Sequence, residues 1–196
     1  MLIDFIEIQN VFDNVDEIVA LAKQQLYVLK EAHYHNEDNS TFYTGVRSKT
    51  LSDIDKDVFH NMMDQIFSKC MKHRLINDMN KVKYIYGWES SGYFHIMREQ
   101  DKYNDQWIHK DDLAMLAGVV YLNPNPKPNT GTIVHINGEE RIVKNEYNKL
   151  VMYDTNFWHA PQGGFGEDTN DSRLSFVFFI TDFKMQVRID KESNEK

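Results

Sequence analysis

Histidine 109 and aspartate 111 are separated by one residue, in the run His109-Lys110-Asp111. In an extended chain, residues i and i+2 point to the same face. The imidazole and the carboxylate can then reach one metal ion while Lys110 turns away. Alone the pair says little. Eight histidines and 18 aspartates in 196 residues give roughly 0.7 such pairs by chance. A second imidazole, His159, follows in Asn156-Phe157-Trp158-His159-Ala160-Pro161. Two imidazoles and one carboxylate on one face of a metal leave open positions, the arrangement that suits Fe(II) oxygenase chemistry. Asp112, the neighbour of Asp111, is the alternative carboxylate if the extended run breaks early.

A third feature lies 14 residues beyond His159, in Arg173-Leu174-Ser175. The segment Leu174 to Ile180 is aromatic and aliphatic and reads as a buried strand. A buried strand seldom begins with a charge unless that charge meets a partner. A guanidinium fork can grip a carboxylate through two parallel hydrogen bonds. Ser175 shares the face of Arg173 and can add another. His95 and His135 sit in apolar segments and read as packed, hydrogen-bonded core residues.

The elements that must position these groups fall into two textures. The N-terminal part predicts a strand over Leu2 to Ile8 and a helix from about Val15 to Leu29, capped by Asp13 or Asn14. A polar loop over His33 to Ser40 precedes a second helix, from Ser52 or Asp53 to about His73. That helix carries Val58, Met62, Ile66 and Cys70 at four-residue steps. From Lys81 onward the segments are short, aromatic and β-branched: Val82 to Trp88, Gly92 to Met97, Met115 to Leu122, Thr132 to Ile136, Arg141 to Lys144, Leu150 to Tyr153 and Leu174 to Ile180. Turn residues separate them, and Asn137-Gly138 is a strong hairpin signal. The expected architecture is a mainly β barrel or sandwich with flanking N-terminal helices. Residues 1–190 form one domain, with 1–80 as helical support and 81–185 as the β core. Residues 191–196 read as a charged, disordered tail.

Composition narrows the function classes. The net charge of −8, without a concentrated Lys/Arg patch, disfavours nucleic acid as a partner. The single cysteine, Cys70, rules out an intrachain disulfide and a cysteine zinc site, and fits a reducing, cytoplasmic compartment. The opening MLIDFIEIQN lacks the basic start and apolar run of a signal peptide. The longest nearly apolar run, Leu113 to Leu122, is too short to span a membrane. Nothing in the sequence indicates an oligomeric state.

Taken in order, His109-x-Asp111, Val120-Tyr121-Leu122-Asn123, Asn129-Thr130-Gly131-Thr132, Phe157-Trp158-His159 and Arg173-Leu174-Ser175 resemble the Fe(II)/2-oxoglutarate-dependent dioxygenases, in their prolyl-hydroxylase-like branch. The resemblance spans about residues 93 to 181. Phe12 to Ile18 and Gly45-Val46-Arg47-Ser48 also look like small bacterial and phage members. It implies a double-stranded β-helix (jelly-roll) core. It also implies that His109, Asp111 and His159 ligate Fe(II) and that Arg173 pairs with the far carboxylate of 2-oxoglutarate. Tyr121 would bond that same carboxylate; as a plain core tyrosine it would be satisfied locally. The implied reaction couples decarboxylation of 2-oxoglutarate to succinate with O2-dependent hydroxylation of a C–H bond in a peptide side chain, prolyl or otherwise, or in a small metabolite. The segment Met97 to Ile108 lacks the usual tyrosine and glycine spacing, which leaves the substrate open. Rival readings are a nucleic-acid base demethylase of the same superfamily and a non-catalytic, cupin-like metal- or ligand-binding module.

Overall fold

The computed structural model describes residues 4–28, 44–74, 82–101, 107–111 and 113–189. The expected loop at His33 to Ser40, the tail at 191–196 and Asp112 lie outside the described residues. Among the described residues nine strands are formed: β1 Phe5–Gln9, β2 Val46–Arg47, β3 Val82–Met97, β4 Leu116–Tyr121, β5 Thr132–Ile136, β6 Glu139–Val143, β7 Lys149–Asp154, β8 Trp158–Pro161 and β9 Arg173–Ile189. Among the described residues the helices are α1 Val15–Lys23, α2 Leu51–Ile54 and α3 Lys56–Arg74.

The strands build two antiparallel sheets that enclose the β-helix interior. The larger has the order β1-β7-β4-β9-β3-β2 and the smaller β6-β5-β8. Alternation along β4 and β9 sorts side chains between two cores. Ala117, Val119, Tyr121 and Val177 face inward and pack with Val134 and Val143 of the smaller sheet. Leu116, Val120, Leu174, Phe176, Phe178 and Ile180 face outward and pack against the helices. Both faces of β4 are covered, which is why its six residues are all buried. Each aliphatic or aromatic side chain so buried contributes about 1.5–3 kcal/mol.

Helix α3 supplies most of the outer cover. Phe59, Met62, Met63, Ile66, Phe67 and Cys70 are buried at helical spacing against that sheet face. Close approach there needs small residues in the strands. A Cβ on Gly118 would sit 2.2 Å from the Phe178 ring. The hairpin expected at Asn137-Gly138 joins β5 to β6, with both residues at positive φ (53° and 85°).

Two helical expectations are corrected. The first helix stops at Lys23, with Gln24 as its C-cap, and does not reach Leu29. Val28 instead bridges to Arg47, so the chain there is drawn into the sheet edge. The second helix is divided. Asp55 is extended (φ −154°, ψ 100°) between α2 and α3, and its carboxylate accepts a hydrogen bond from the Val58 backbone N–H at 3.0 Å. The aspartate starts a new helix at a position where periodicity alone continues the old one. The two expected strands Val82 to Trp88 and Gly92 to Met97 are one strand, β3, with a register shift between Glu89 and Ser90. Among the described residues no helix is long and apolar enough to cross a membrane.

Candidate metal and anion site

His109 and His159 are set side by side by the backbone. The His109 N–H donates to the His159 carbonyl at 3.0 Å, and the His159 N–H donates back to the His109 carbonyl at 2.9 Å. Their ring centres lie 4.4 Å apart. The chain then carries Asp111 back to the same point, its N–H donating to the Thr155 carbonyl at 3.3 Å. The i and i+2 residues therefore share a face, as expected, although the segment is an isolated bridge rather than a full strand.

Hydrogen bonds on the far side of each ring decide which nitrogen faces the cluster. Nδ1 of His109 lies 2.7 Å from the Trp107 carbonyl, and Nδ1 of His159 lies 3.0 Å from the Phe157 carbonyl. A carbonyl only accepts, so each Nδ1 carries a proton and each neutral ring presents the Nε2 lone pair inward. Asp111 meets both: Oδ1 is 3.6 Å from His109 Nε2, and Oδ2 is 3.2 Å from His159 Nε2. Oδ2 is buried yet has no hydrogen bond in acceptable geometry. Three lone-pair donors, all within 4.8 Å of one another, converge on one point. Ligand bonds of about 2.1 Å put adjacent donors about 3 Å apart on an octahedral ion. The donor set thus fits a divalent cation. In the metal-free cluster, burial alone would depress His109, but the Asp111 carboxylate and the Trp107 carbonyl outweigh it and raise its pKa. Burial opposes ionisation of Asp111, yet the two imidazoles hold its carboxyl well below the usual range.

Arg173 lies at the start of β9, only 2% exposed. Its Nε donates to the Thr130 carbonyl at 2.6 Å and one terminal nitrogen to the Gly131 carbonyl at 3.4 Å. The other terminal nitrogen is 3.3 Å from Met97 Sδ, and the guanidinium lies 5.6 Å from the Tyr121 ring centre. Among the described residues no carboxylate pairs with it. Burial lowers its pKa, but a guanidinium stays charged at neutral pH. A buried cation without an acidic partner is costly, and an anionic ligand would offset that cost. Gly131 permits the arrangement, because a Cβ there would meet the Val143 carbonyl oxygen at 1.8 Å.

One cavity joins the two halves. His109, Asp111, His159 and Arg173 all line it, together with Thr132, Ala117, Val119 and Val177. It encloses about 610 Å³ of empty space including its open mouth. Tyr121 and Ser175 stand behind the lining. The Tyr121 hydroxyl donates to Thr132 Oγ1 at 2.7 Å, and burial pushes its pKa up to about 12. Ser175 Oγ lies 3.5 Å from the His95 carbonyl. Trp107 is part of the wall; Trp158 is half-exposed under Lys110 and is not. His95 is buried and bonded to the Thr44 carbonyl, as expected of a packed histidine, but it also faces the cavity. Arg47 and Tyr153 line the cavity as well and went unrecognised in the sequence. The signal for Arg47 and His95 is cross-strand: Arg47 pairs with His95, and His95 with Ser175 on the strand of Arg173.

No protein-family model matches the chain, and no curated protein sequence is similar to it. Solved structures are similar in shape. A 2OG-Fe(II) oxygenase family oxidoreductase from Burkholderia pseudomallei superposes with a TM-score of 0.61 at 12% identity, over 91% of this chain and 85% of the other. HygX from Streptomyces hygroscopicus, with nickel, 2-oxoglutarate and hygromycin B bound, gives 0.53 at 12% identity over 90% and 82%. A prolyl hydroxylase from Trichoplax adhaerens, in complex with a peptide fragment, gives 0.50 at 11% identity over 91% and 83%. This chain has the double-stranded β-helix fold of these oxygenases.

Proposed function

We propose that this protein is an Fe(II)/2-oxoglutarate-dependent oxygenase that hydroxylates a C–H bond of a peptide side chain or small molecule. One observation carries the reading: a buried guanidinium without a carboxylate partner among the described residues lines the same cavity as a converging His-Asp-His cluster. The shared fold, and the nickel and 2-oxoglutarate held by one structural neighbour, support it.

In this reading His109, Asp111 and His159 hold Fe(II), and Arg173 holds the distal carboxylate of 2-oxoglutarate. Together the metal and co-substrate supply the oxidising chemistry, in which 2-oxoglutarate, O2 and R–H give succinate, CO2 and R–OH. The protein's part is placement and exclusion. The carbonyls of Trp107 and Phe157 keep both imidazoles in the ligating tautomer. The carbonyls of Thr130 and Gly131 aim the Arg173 fork. Thr132, braced by the Tyr121 hydroxyl, lies beside it and offers a further polar contact. Ser175 belongs to the supporting layer. Ala117, Val119, Val177 and Phe179 make an apolar wall that limits water. Residues 1–190 act as one catalytic domain, with the helices bracing the sheet.

The test is turnover. Wild-type protein with Fe(II), ascorbate, O2 and 2-oxoglutarate should form succinate, followed by NMR, at a rate raised by the right substrate. Asp111→Ala should abolish it. Succinate formation by Asp111→Ala at the wild-type rate would refute the assignment.

A further inference from the structure

Among the described residues the hydroxyl of Tyr153 makes no hydrogen bond, although the residue is only 3% exposed and lines the cavity. A phenol O–H removed from water without a partner is costly, and a ligand oxygen in the cavity would accept it. Strand pairing sets where that donor stands. Val151 and Tyr153 are the inward-facing core residues of β7. Tyr153 pairs with Ala117 on β4, and Ala117 pairs with Phe179 on β9, six residues along that strand from Arg173. Tyr153 therefore belongs to the metal end of the cavity. Ala117 is small and leaves room for the phenol, whose ring centre lies 4.7 Å from that of His159. Burial first, then the charge of Asp111, push its pKa up, while Arg173 pulls it down, so the group feels both ends of the site.

We infer that the Tyr153 hydroxyl donates a hydrogen bond to the metal-side carboxylate of 2-oxoglutarate, and so is a further binding residue for the co-substrate. This rests on the oxygenase reading above, which gives the far carboxylate to Arg173 and assigns no donor to the near one. A carboxylate that spends one oxygen on a metal keeps a second oxygen, which must be satisfied once it leaves water. The wall beside Tyr153 cannot do this. Ala117, Val119, Val177 and Phe179 have no donor in their side chains. Thr132 is engaged by the Tyr121 hydroxyl, on the side of Arg173. The two ligand imidazoles spend their N–H groups on the Trp107 and Phe157 carbonyls. Tyr153 is a neutral donor already packed on a ligand ring, and an O–H to a charged oxygen is among the stronger hydrogen bonds.

Tyr153→Phe removes one oxygen and keeps the ring against His159. The experiment uses the full chain and calorimetry with three probes: Mn(II) alone, then 2-oxoglutarate and oxalate on the Mn(II)-loaded protein. Oxalate offers a metal-side carboxylate and has no far end for Arg173. Tyr153→Phe should bind both 2-oxoglutarate and oxalate about tenfold more weakly, the loss expected for a hydrogen bond to a charged group, with its Mn(II) affinity unchanged. Arg173→Gln should lose 2-oxoglutarate affinity and keep that for oxalate. Tyr153→Met, which also lacks a donor, carries the comparison if a melting curve shows Tyr153→Phe to be unfolded. Unchanged oxalate affinity in the folded variant would overturn the inference, whatever happens to 2-oxoglutarate. So would a parallel loss of Mn(II) affinity, because the phenol would then only support His159. The oxygenase reading fails by separate signals. If wild type does not bind Mn(II), or if Arg173→Gln binds 2-oxoglutarate as wild type does, that reading falls and the inference falls with it.

Discussion

At the scale of single residues, the site combines two kinds of incomplete chemistry. Three potential ligand atoms converge on one point, and a buried cation lacks a carboxylate among the described residues. Each is costly alone and each is resolved by a ligand. Arg173→Gln should therefore weaken 2-oxoglutarate binding about tenfold or more while Mn(II) still binds, a split that calorimetry would measure. Gly131→Ala acts on the same contact from behind. Its new Cβ collides with the Val143 carbonyl, so residues 130–131 must shift. Co-substrate affinity should drop in Gly131→Ala although no ligand-contacting side chain has changed, and an unchanged affinity would show the Thr130 and Gly131 carbonyls to be dispensable. Much of this site was legible in the sequence. His109-x-Asp111 is nearly a chance event, but its order with His159 and Arg173 pointed to residues that the fold brings to one cavity. Arg47 and His95 were not legible in that way. Their contribution arises from pairing between β2, β3 and β9, across sequence separations that no local motif records.

At the scale of elements, short-range signals succeeded where local chemistry sets the backbone. Asn137-Gly138 forms its hairpin, and the alternating and aromatic runs form strands. They failed where tertiary contacts compete with periodicity. The pattern from Asp53 to His73 is continuously amphipathic, yet Asp55 ends one helix and caps the next. Asp55→Ala should cost about 1 kcal/mol in urea unfolding, the usual value of an N-cap. An unchanged midpoint would mean that packing of α3 alone sets the break. Likewise α1 ends at Lys23, and Val28, five residues on, is taken up by the bridge to Arg47, a partner that sequence reading does not reveal. The close packing of β4 on β9 gives a sharper test. Gly118→Val places branched methyls into the Phe178 ring and should destabilise the fold by about 1–3 kcal/mol, readable as a lower thermal midpoint.

At the scale of the whole molecule, the two sheets and the helical cover make a rigid frame that holds charged groups away from water, and stability should then depend on pH. His95 is buried between Arg47 and Arg173; burial first, then those two charges, hold its pKa down to about 3. The folded state keeps it neutral, whereas an unfolded histidine titrates near about 6.5. Below that value the unfolded chain takes up a proton that the native chain refuses. Stability from this group is therefore complete above about pH 6.5 and falls by about 1.4 kcal/mol per pH unit as acid is added. His95→Gln cannot titrate there, so it should lose less stability than wild type between about pH 6 and about pH 4. Parallel slopes for the two proteins would remove His95 as the source.

The central question is whether the His-Asp-His cluster and Arg173 form one metal and co-substrate site. The most direct measurement is the anaerobic visible spectrum with Fe(II), before and after 2-oxoglutarate. A weak charge-transfer band in the green should appear in wild type only when both are present. It should be absent in His109→Ala and His159→Ala, and should need much higher 2-oxoglutarate in Arg173→Gln. No band in the folded wild-type protein, or an undiminished band in His109→Ala, would contradict the account.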